Sequence, residues 1–269
     1  MKTRIISGIV IILAVAAVIT LGAVWNMGIV VFAIGLLAAG AVFELLHTVA
    51  EIRCKASVIG ACVFAFLAVC TLFLSSILGY ALALAVILSV FYGIYAVCMV
   101  IKNHKTFTVG QITALYGMPL MVAISFLCLA NVIIGANGIY YLLLLLNFSS
   151  VCDMGAYFVG VTIGKHKLCP EISPKKTVEG AIGGIAWSMI VSLILGFAFS
   201  KSIIVLLIAT IPLCILGMLG DLFASAIKRS VGIKDFSNLI PGHGGILDRL
   251  DSVIMVAPLL VVLANFGVL

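Results

Sequence analysis

The chain has 269 residues, 65% of them hydrophobic and 9% charged, with a net charge of +6 and a mean hydropathy of +1.40. A soluble domain of this size needs far more surface charge. The bases also lack the aromatic interleaving or soluble module of a nucleic-acid binder, so no nucleic-acid partner is expected. What remains is an all-α, polytopic integral membrane protein organised as one membrane domain.

Hydropathy predicts nine spans, at 5–22, 27–46, 57–76, 80–101, 111–133, 138–162, 180–199, 202–222 and 251–267. Residues 1–135 supply the N-terminal helices and 136–269 the C-terminal, chemistry-bearing region. The first run follows Lys2 and Arg4 and is read as a retained helix, with a cleaved signal peptide as the competing reading. Among the eight cysteines, Cys62, Cys70, Cys98, Cys128, Cys152 and Cys214 fall inside apolar runs, and no CxxC occurs. They read as small buried side chains, with no disulfide or zinc site expected.

The basic residues orient the spans. With the N-terminus inside, the inner segments hold fourteen of the fifteen bases and the outer loops hold only Lys201. The positive-inside rule then puts the N-terminus in the cytoplasm, the C-terminus outside and every polar loop of note on the cytoplasmic face of the cell membrane. There the bases meet the anionic inner leaflet, which favours anionic lipid as a partner. For Arg53, Lys55, Lys102 and Lys105, topology alone accounts for the charge.

Two of these loops carry candidate chemistry. The first begins at Asp153, an acid near or within the inner half of the sixth span. An ionisable group there implies function, with a helix-end acid reaching water as the alternative. Gly155, Gly160 and Gly164 allow close helix packing. Next come Lys165, His166 and Lys167, then Ser173-Pro174-Lys175-Lys176-Thr177. Ser-Pro has turn chemistry, Thr177 is a helix N-cap, and Glu179 favours the helix start. Lys175 and Lys176 at that start would make a phosphate seat; a positive-inside loop and nothing more is the other reading.

The second loop runs from Asp221, expected to close span eight, to Asp251. Ser225, Lys228 and Arg229 are placed on a short interfacial helix, SAIKRSVG, whose apolar neighbours Leu222, Phe223 and Ile227 suggest partial membrane contact. Lys234 follows, then PGHGG at 241–245. Gly244 and Gly245 would let backbone N–H groups approach an anion closely. His243 either holds the turn by a hydrogen bond or meets phosphate or a proton. Asp248 and Asp251 open span nine at i and i+3, on one helical face. With Asp221, they offer the hard oxygen ligands that Mg²⁺ takes, while Cys or His clusters for a soft metal are absent. Lys228, Arg229, Lys234 and Arg249 could neutralise a polyphosphate, and Arg249 could instead pair with a neighbouring carboxylate. GxSxG, P-loop, GxGxxG and HExxH patterns are absent.

The order Ser225-x-x-Lys228-Arg229, Lys234-Asp235, PGHGG and Asp248-Arg249-x-Asp251 resembles the signature of phosphatidate cytidylyltransferases, also called CDP-diglyceride synthases. GKHK at 164–167, SPKKT at 173–177 and EG at 179–180 are similar to a second loop of that family, so the resemblance covers about 150–255. It implies that CTP and phosphatidate react with Mg²⁺ to give CDP-diacylglycerol and pyrophosphate for phospholipid synthesis. It carries metal binding onto Asp221 and Asp248, and onto Asp251 by its place in the DRxD element. It leaves room for a second cation such as K⁺ and for a homodimer. Ala224 stands where many members have Glu, and Ser237 where Gly is frequent. A CTP-dependent polyprenol or diacylglycerol kinase is the rival enzyme. A transporter with a cytosolic anion site is the rival of another class, and it calls for internal repeats and midplane charges that the chain does not display.

Overall fold

A computed structural model describes the backbone of residues 2–78 and 81–269 and the side chains of 6–74 and 83–269. Apolar sequence becomes helix throughout, because a backbone in lipid must satisfy its own hydrogen bonds. Among the described residues, eight helices are long and apolar enough to cross a membrane. The ninth expected span is also helical, over Leu247–Asn265, but it is not one of those eight. Asp248, Arg249 and Asp251 occupy its first turns.

The chain divides into two compact units: residues 1–134 with 235–249, and residues 135–234 with 250–269. Segment 235–249 thus belongs with the N-terminal helices, although it lies late in the sequence. The first unit contains α1 (Lys2–Val24), α2 (Gly28–Glu44), α3 (Lys55–Leu78), α4 (Ala81–Lys102) and α5 (Val109–Ile134). Helix α3 packs against α2, α4 and α5. Its Phe64 ring stacks on Tyr92 of α4, with centroids 4.2 Å apart. Beyond Glu44, α2 continues into a π-helical turn, Leu45–Val49.

The second unit contains α6 (Gly138–Leu146), a π-turn (Asn147–Val151), α7 (Cys152–Ile163), β1 (Lys167–Cys169), β2 (Ser173–Thr177), α8 (Val178–Ala198), α9 (Ile203–Ser230) and most of α10 (Leu247–Asn265). Helices α7 and α8 meet through small residues, as the sequence pattern anticipates. A Cβ on Gly155 would lie 2.7 Å from the Trp187 Cβ, and one on Gly184 would lie 2.6 Å from the Cys152 carbonyl oxygen. Such backbone approach is how membrane helices gain packing energy without a hydrophobic drive between them. Polar side chains reinforce it. Asn147 in the π-turn donates to the Ser188 carbonyl (3.1 Å) and the Ser192 hydroxyl (2.9 Å), which in turn meets Thr210 of α9 at 2.7 Å.

Two local expectations change. SPKKT is not a turn but strand β2, antiparallel to β1 with Lys167 opposite Thr177 and Cys169 opposite Ser173. Pro174 is tolerated because a two-stranded ribbon has free edges. Nor is SAIKRSVG a separate interfacial helix. Helix α9 runs unbroken to Ser230, so Asp221 lies inside it rather than at its end. The stretch after Asp221 consists largely of good helix formers, and Lys228 and Arg229 complement the negative helix terminus. The helix stops at Gly232, which has a φ of 72° and follows the C-cap Val231.

Candidate functional site

In the second unit, α7, β2 and α9 surround a cavity of about 620 Å³ lined by Asp153, Lys175, Lys176, Thr177 and Asp221 on its polar side and by Tyr157, Val161 and Met218 on its apolar side. The hairpin brings the lysines there. Its anchor is Thr177, whose hydroxyl accepts the Gly180 N–H at 3.1 Å and so caps α8 as the sequence predicts. Glu179 ties down the other end of the loop. Its carboxylate accepts the backbone N–H of Lys165 (3.0 Å) and of His166 (3.1 Å), and pairs with the His166 ring at 2.5 Å. The Lys165 side chain itself stays exposed.

Lys176 Nζ forms an ion pair with Asp221 Oδ2. Apart from that pair, this buried nitrogen has no hydrogen-bond partner. Asp153 of α7, Asp221 of α9 and Asp251 of α10 lie within electrostatic reach of one another, with Lys176 near Asp153 and Lys228 near Asp251. Gly220 allows this convergence, because a Cβ there would lie 2.6 Å from the Asp251 carbonyl oxygen. Ser225 donates to Asp221 Oδ1 at 3.4 Å, and Ser252 donates to Asp153 Oδ2 at 3.5 Å. Lys228 is buried, whereas Arg229 is exposed and donates to the Ile233 carbonyl at 3.2 Å, helping to close the helix end. Lys234 is exposed.

The PGHGG loop belongs to the first unit. Sequence reasoning offers its amides to a substrate anion; in the structure those of His243, Gly244 and Gly245 already have acceptors within the protein. Asp248 Oδ2 accepts the N–H of Gly245 (2.9 Å) and of Phe236 (2.8 Å). Glu44 Oε1 accepts Ile246 N–H and Glu44 Oε2 accepts Leu247 N–H, both at 2.9 Å. Gly244 N–H bonds to the Ile240 carbonyl at 3.1 Å. The helix N-terminus has thus recruited the chain's own carboxylates, for the same reasons that it would attract phosphate. His243 Nδ1 hydrogen-bonds with the Ser7 hydroxyl of α1 at 2.7 Å, a long-range contact and not a bond within the turn. Arg249 is exposed.

Among the described residues, no three His, Cys, Asp or Glu side chains stand as a ready-made metal cage. The donor chemistry nonetheless fits Mg²⁺. Asp153, Asp221 and Asp251 offer hard carboxylate oxygens, and Mg²⁺ is ordinarily held by one or two carboxylates while waters and substrate phosphates complete its shell.

A model of the cytidylyltransferase family matches residues 2–266. The chain belongs to that family. It is 48% identical over 130 residues to a phosphatidate cytidylyltransferase of Staphylococcus haemolyticus, a match covering 48% of this chain and 50% of that protein. It is 52% identical over 110 residues to a phosphatidate cytidylyltransferase of Bacillus subtilis, covering 40% of this chain and 41% of the relative. The chain thus spans about half the length of the curated relatives that it matches.

Within this cytidylyltransferase-family chain, the structure gathers Asp153, Lys175, Lys176, Thr177 and Asp221 around one cavity and sets Asp251 in the same acidic group. Sequence reasoning gives Asp153 a functional role and does not foresee its place among those acids. It also misses Glu44, Ser252 and the clamp role of Glu179. A signal for Glu44 was present: it is a lone acid inside the apolar run GAVFELLHTV, where an ionisable residue implies function.

Proposed function

We propose that the protein transfers the cytidylyl group of CTP to phosphatidate, yielding CDP-diacylglycerol and pyrophosphate. It would do so as a multi-pass enzyme of the cell membrane whose site faces the cytoplasm. The observation that carries this reading is the cavity with lysines and carboxylates on one wall and apolar side chains on another. It matches an amphiphile with a phosphate head, and family membership supports a cytidylyl donor.

In the proposed reaction a phosphatidate oxygen attacks the α-phosphorus of CTP. The bond from that phosphorus to the bridging oxygen breaks, and pyrophosphate leaves with the electron pair. The nucleophile is already ionised, so no strong general base is required. The task is to bring two anions together and stabilise the leaving group, which positioning and charge neutralisation accomplish. Lys175 and Lys176 seat phosphate at the cavity. Lys228, Arg229, Lys234 and Arg249 neutralise phosphate oxygens from the segment after Asp221. Asp221 and Asp251, with Asp153 beside them, would hold Mg²⁺, which when bound would neutralise charge on the CTP phosphates; the resemblance also carries a metal role onto Asp248. Tyr157, Val161 and Met218 give the lipid end of the cavity an apolar wall. Acyl chains then remain in the bilayer while the head group reaches the lysines.

The test uses purified protein in detergent, labelled CTP, phosphatidate and Mg²⁺, with products identified by mass. A nucleotidyl lipid and pyrophosphate are expected, lost on chelation and restored by Mg²⁺. CDP with a phosphorylated lipid would replace this reading with a lipid kinase, and no CTP-dependent product would end it.

A further inference from the structure

Glu44 is 3% exposed and lies within a helix long and apolar enough to cross a membrane. An ionised carboxylate there is costly unless donors surround it. Three do. The Ser237 hydroxyl donates to Oε1 at 2.6 Å, Ile246 N–H donates to Oε1 at 2.9 Å, and Leu247 N–H donates to Oε2 at 2.9 Å. The last two are backbone donors at the start of α10, where the helix dipole favours negative charge. The residue before them has no room to spare. A Cβ on Gly245 would collide with the Glu44 carboxylate, and one on Gly244, whose φ is 84°, would lie 2.8 Å from Asp248 Oδ2. Loop 236–247 is therefore folded around two acids. Asp248 takes the amides of Phe236 and Gly245, and Glu44 takes the next two in sequence.

We propose that Glu44 is a positioning residue for cytidylyl transfer, a distant side chain that fixes the PGHGG loop and with it the orientation of Asp248. The proposal rests on the reading above. Glu44 is buried and its carboxylate already has three donors, so it acts through the loop and not on substrate. A carboxylate holding adjacent amides on its two oxygens defines both the height and the rotation of the turn. Asp248, the next residue, inherits that geometry. Loss of the charge leaves the loop folded in outline but free to shift, and small displacements at a reacting centre cost disproportionate rate.

The experiment compares wild type with Glu44→Gln, Glu44→Asp and Ser237→Ala, all purified as full chains. Glu44→Gln is expected to lower kcat about 10- to 100-fold with the KM for phosphatidate unchanged. Ser237→Ala should give a smaller kcat loss of the same kind, and Glu44→Asp should recover part of the Gln deficit. A second readout needs neither metal nor substrate: backbone hydrogen exchange at residues 245–247 should accelerate in Glu44→Gln while α3 and α5 exchange as in wild type. Wild-type kcat in Glu44→Gln, or unchanged exchange at 245–247, would overturn the proposal. If Glu44→Gln does not fold, Ser237→Ala carries the same test, and equal kcat and exchange in that variant overturn it. Wild-type protein that makes no CDP-diacylglycerol would instead remove the activity assignment, and the exchange result would still report whether Glu44 holds the loop.

Discussion

Lys176 of β2 and Asp221 of α9 neutralise one another at the wall of the cavity. The proposed chemistry gives each a different partner, phosphate for Lys176 and a cation for Asp221. Substrate and metal would therefore replace one contact with two, and the resting pair holds both groups close until then.

Loss of either charge is expected to be severe. Asp221→Asn and Lys176→Met should each lower CTP turnover by about 100- to 1000-fold, the range found when preorganised electrostatic groups are removed. Because the two side chains act as a unit, the double variant should fall little below the worse single. Initial rates of nucleotidyl-lipid formation at saturating substrate measure this, and strictly multiplicative losses would separate the two roles.

Asp248→Asn should abolish turnover yet leave the protein folded and membrane-inserted. Both amides bond to one oxygen, Asp248 Oδ2; an asparagine oxygen in its place still accepts them and asparagine is itself a good cap, so stability should fall by only about 1 kcal/mol. Activity assays paired with thermal unfolding in detergent separate the two effects. Full activity would remove Asp248 from the metal assignment.

Lys228 is buried near Asp251. Lys228→Met should raise the KM for CTP about tenfold or more, as expected for one lost charge-assisted hydrogen bond. The Mg²⁺ concentration for half-maximal rate should not move. Mg²⁺ titrations at several CTP concentrations distinguish this from a metal defect.

Two glycines, Gly180 and Gly117, should respond oppositely to alanine. A Cβ on Gly180 would lie 2.6 Å from the Ala156 carbonyl oxygen, so Gly180→Ala should destabilise the α7–α8 pair by about 1–3 kcal/mol. Gly117 lies in α5 with nothing near its vacant Cβ position. Gly117→Ala should be neutral or stabilising, by up to about 1 kcal/mol. Unfolding temperatures of the two variants under one condition make the comparison.

The spans were legible because hydropathy in lipid is nearly a one-variable problem. Where a second variable entered, sequence reasoning slipped. At Asp221 the apolar run breaks but helix propensity does not, and propensity carries α9 on to Ser230. In SPKKT a proline and two lysines look like a turn, yet pairing with Lys167–Cys169 makes a strand. Thr177 was readable because an N-cap is a local motif. The Asp153–Asp221–Asp251 grouping was only partly readable: the acids share a membrane face in sequence, but Gly220 decides how closely α9 and α10 approach. Glu44 was hidden by distance, since its donors lie some 200 residues away. Ser237, a departure from the family pattern, acquires a reason in the same contact: its hydroxyl is one of those donors.

That distance has a consequence for biogenesis. Synthesis proceeds from the N-terminus, so α2 enters the bilayer long before Ser237, Ile246 and Leu247 exist. Glu44 and Ile246 are 202 residues apart. Until that late segment arrives, the nascent chain carries a carboxyl group in lipid with none of its eventual donors. That group must be held at the interface or sheltered by insertion machinery. A chain stalled before residue 237 should therefore seat its second helix poorly and be turned over by quality control, even though every apolar residue of that helix is already present.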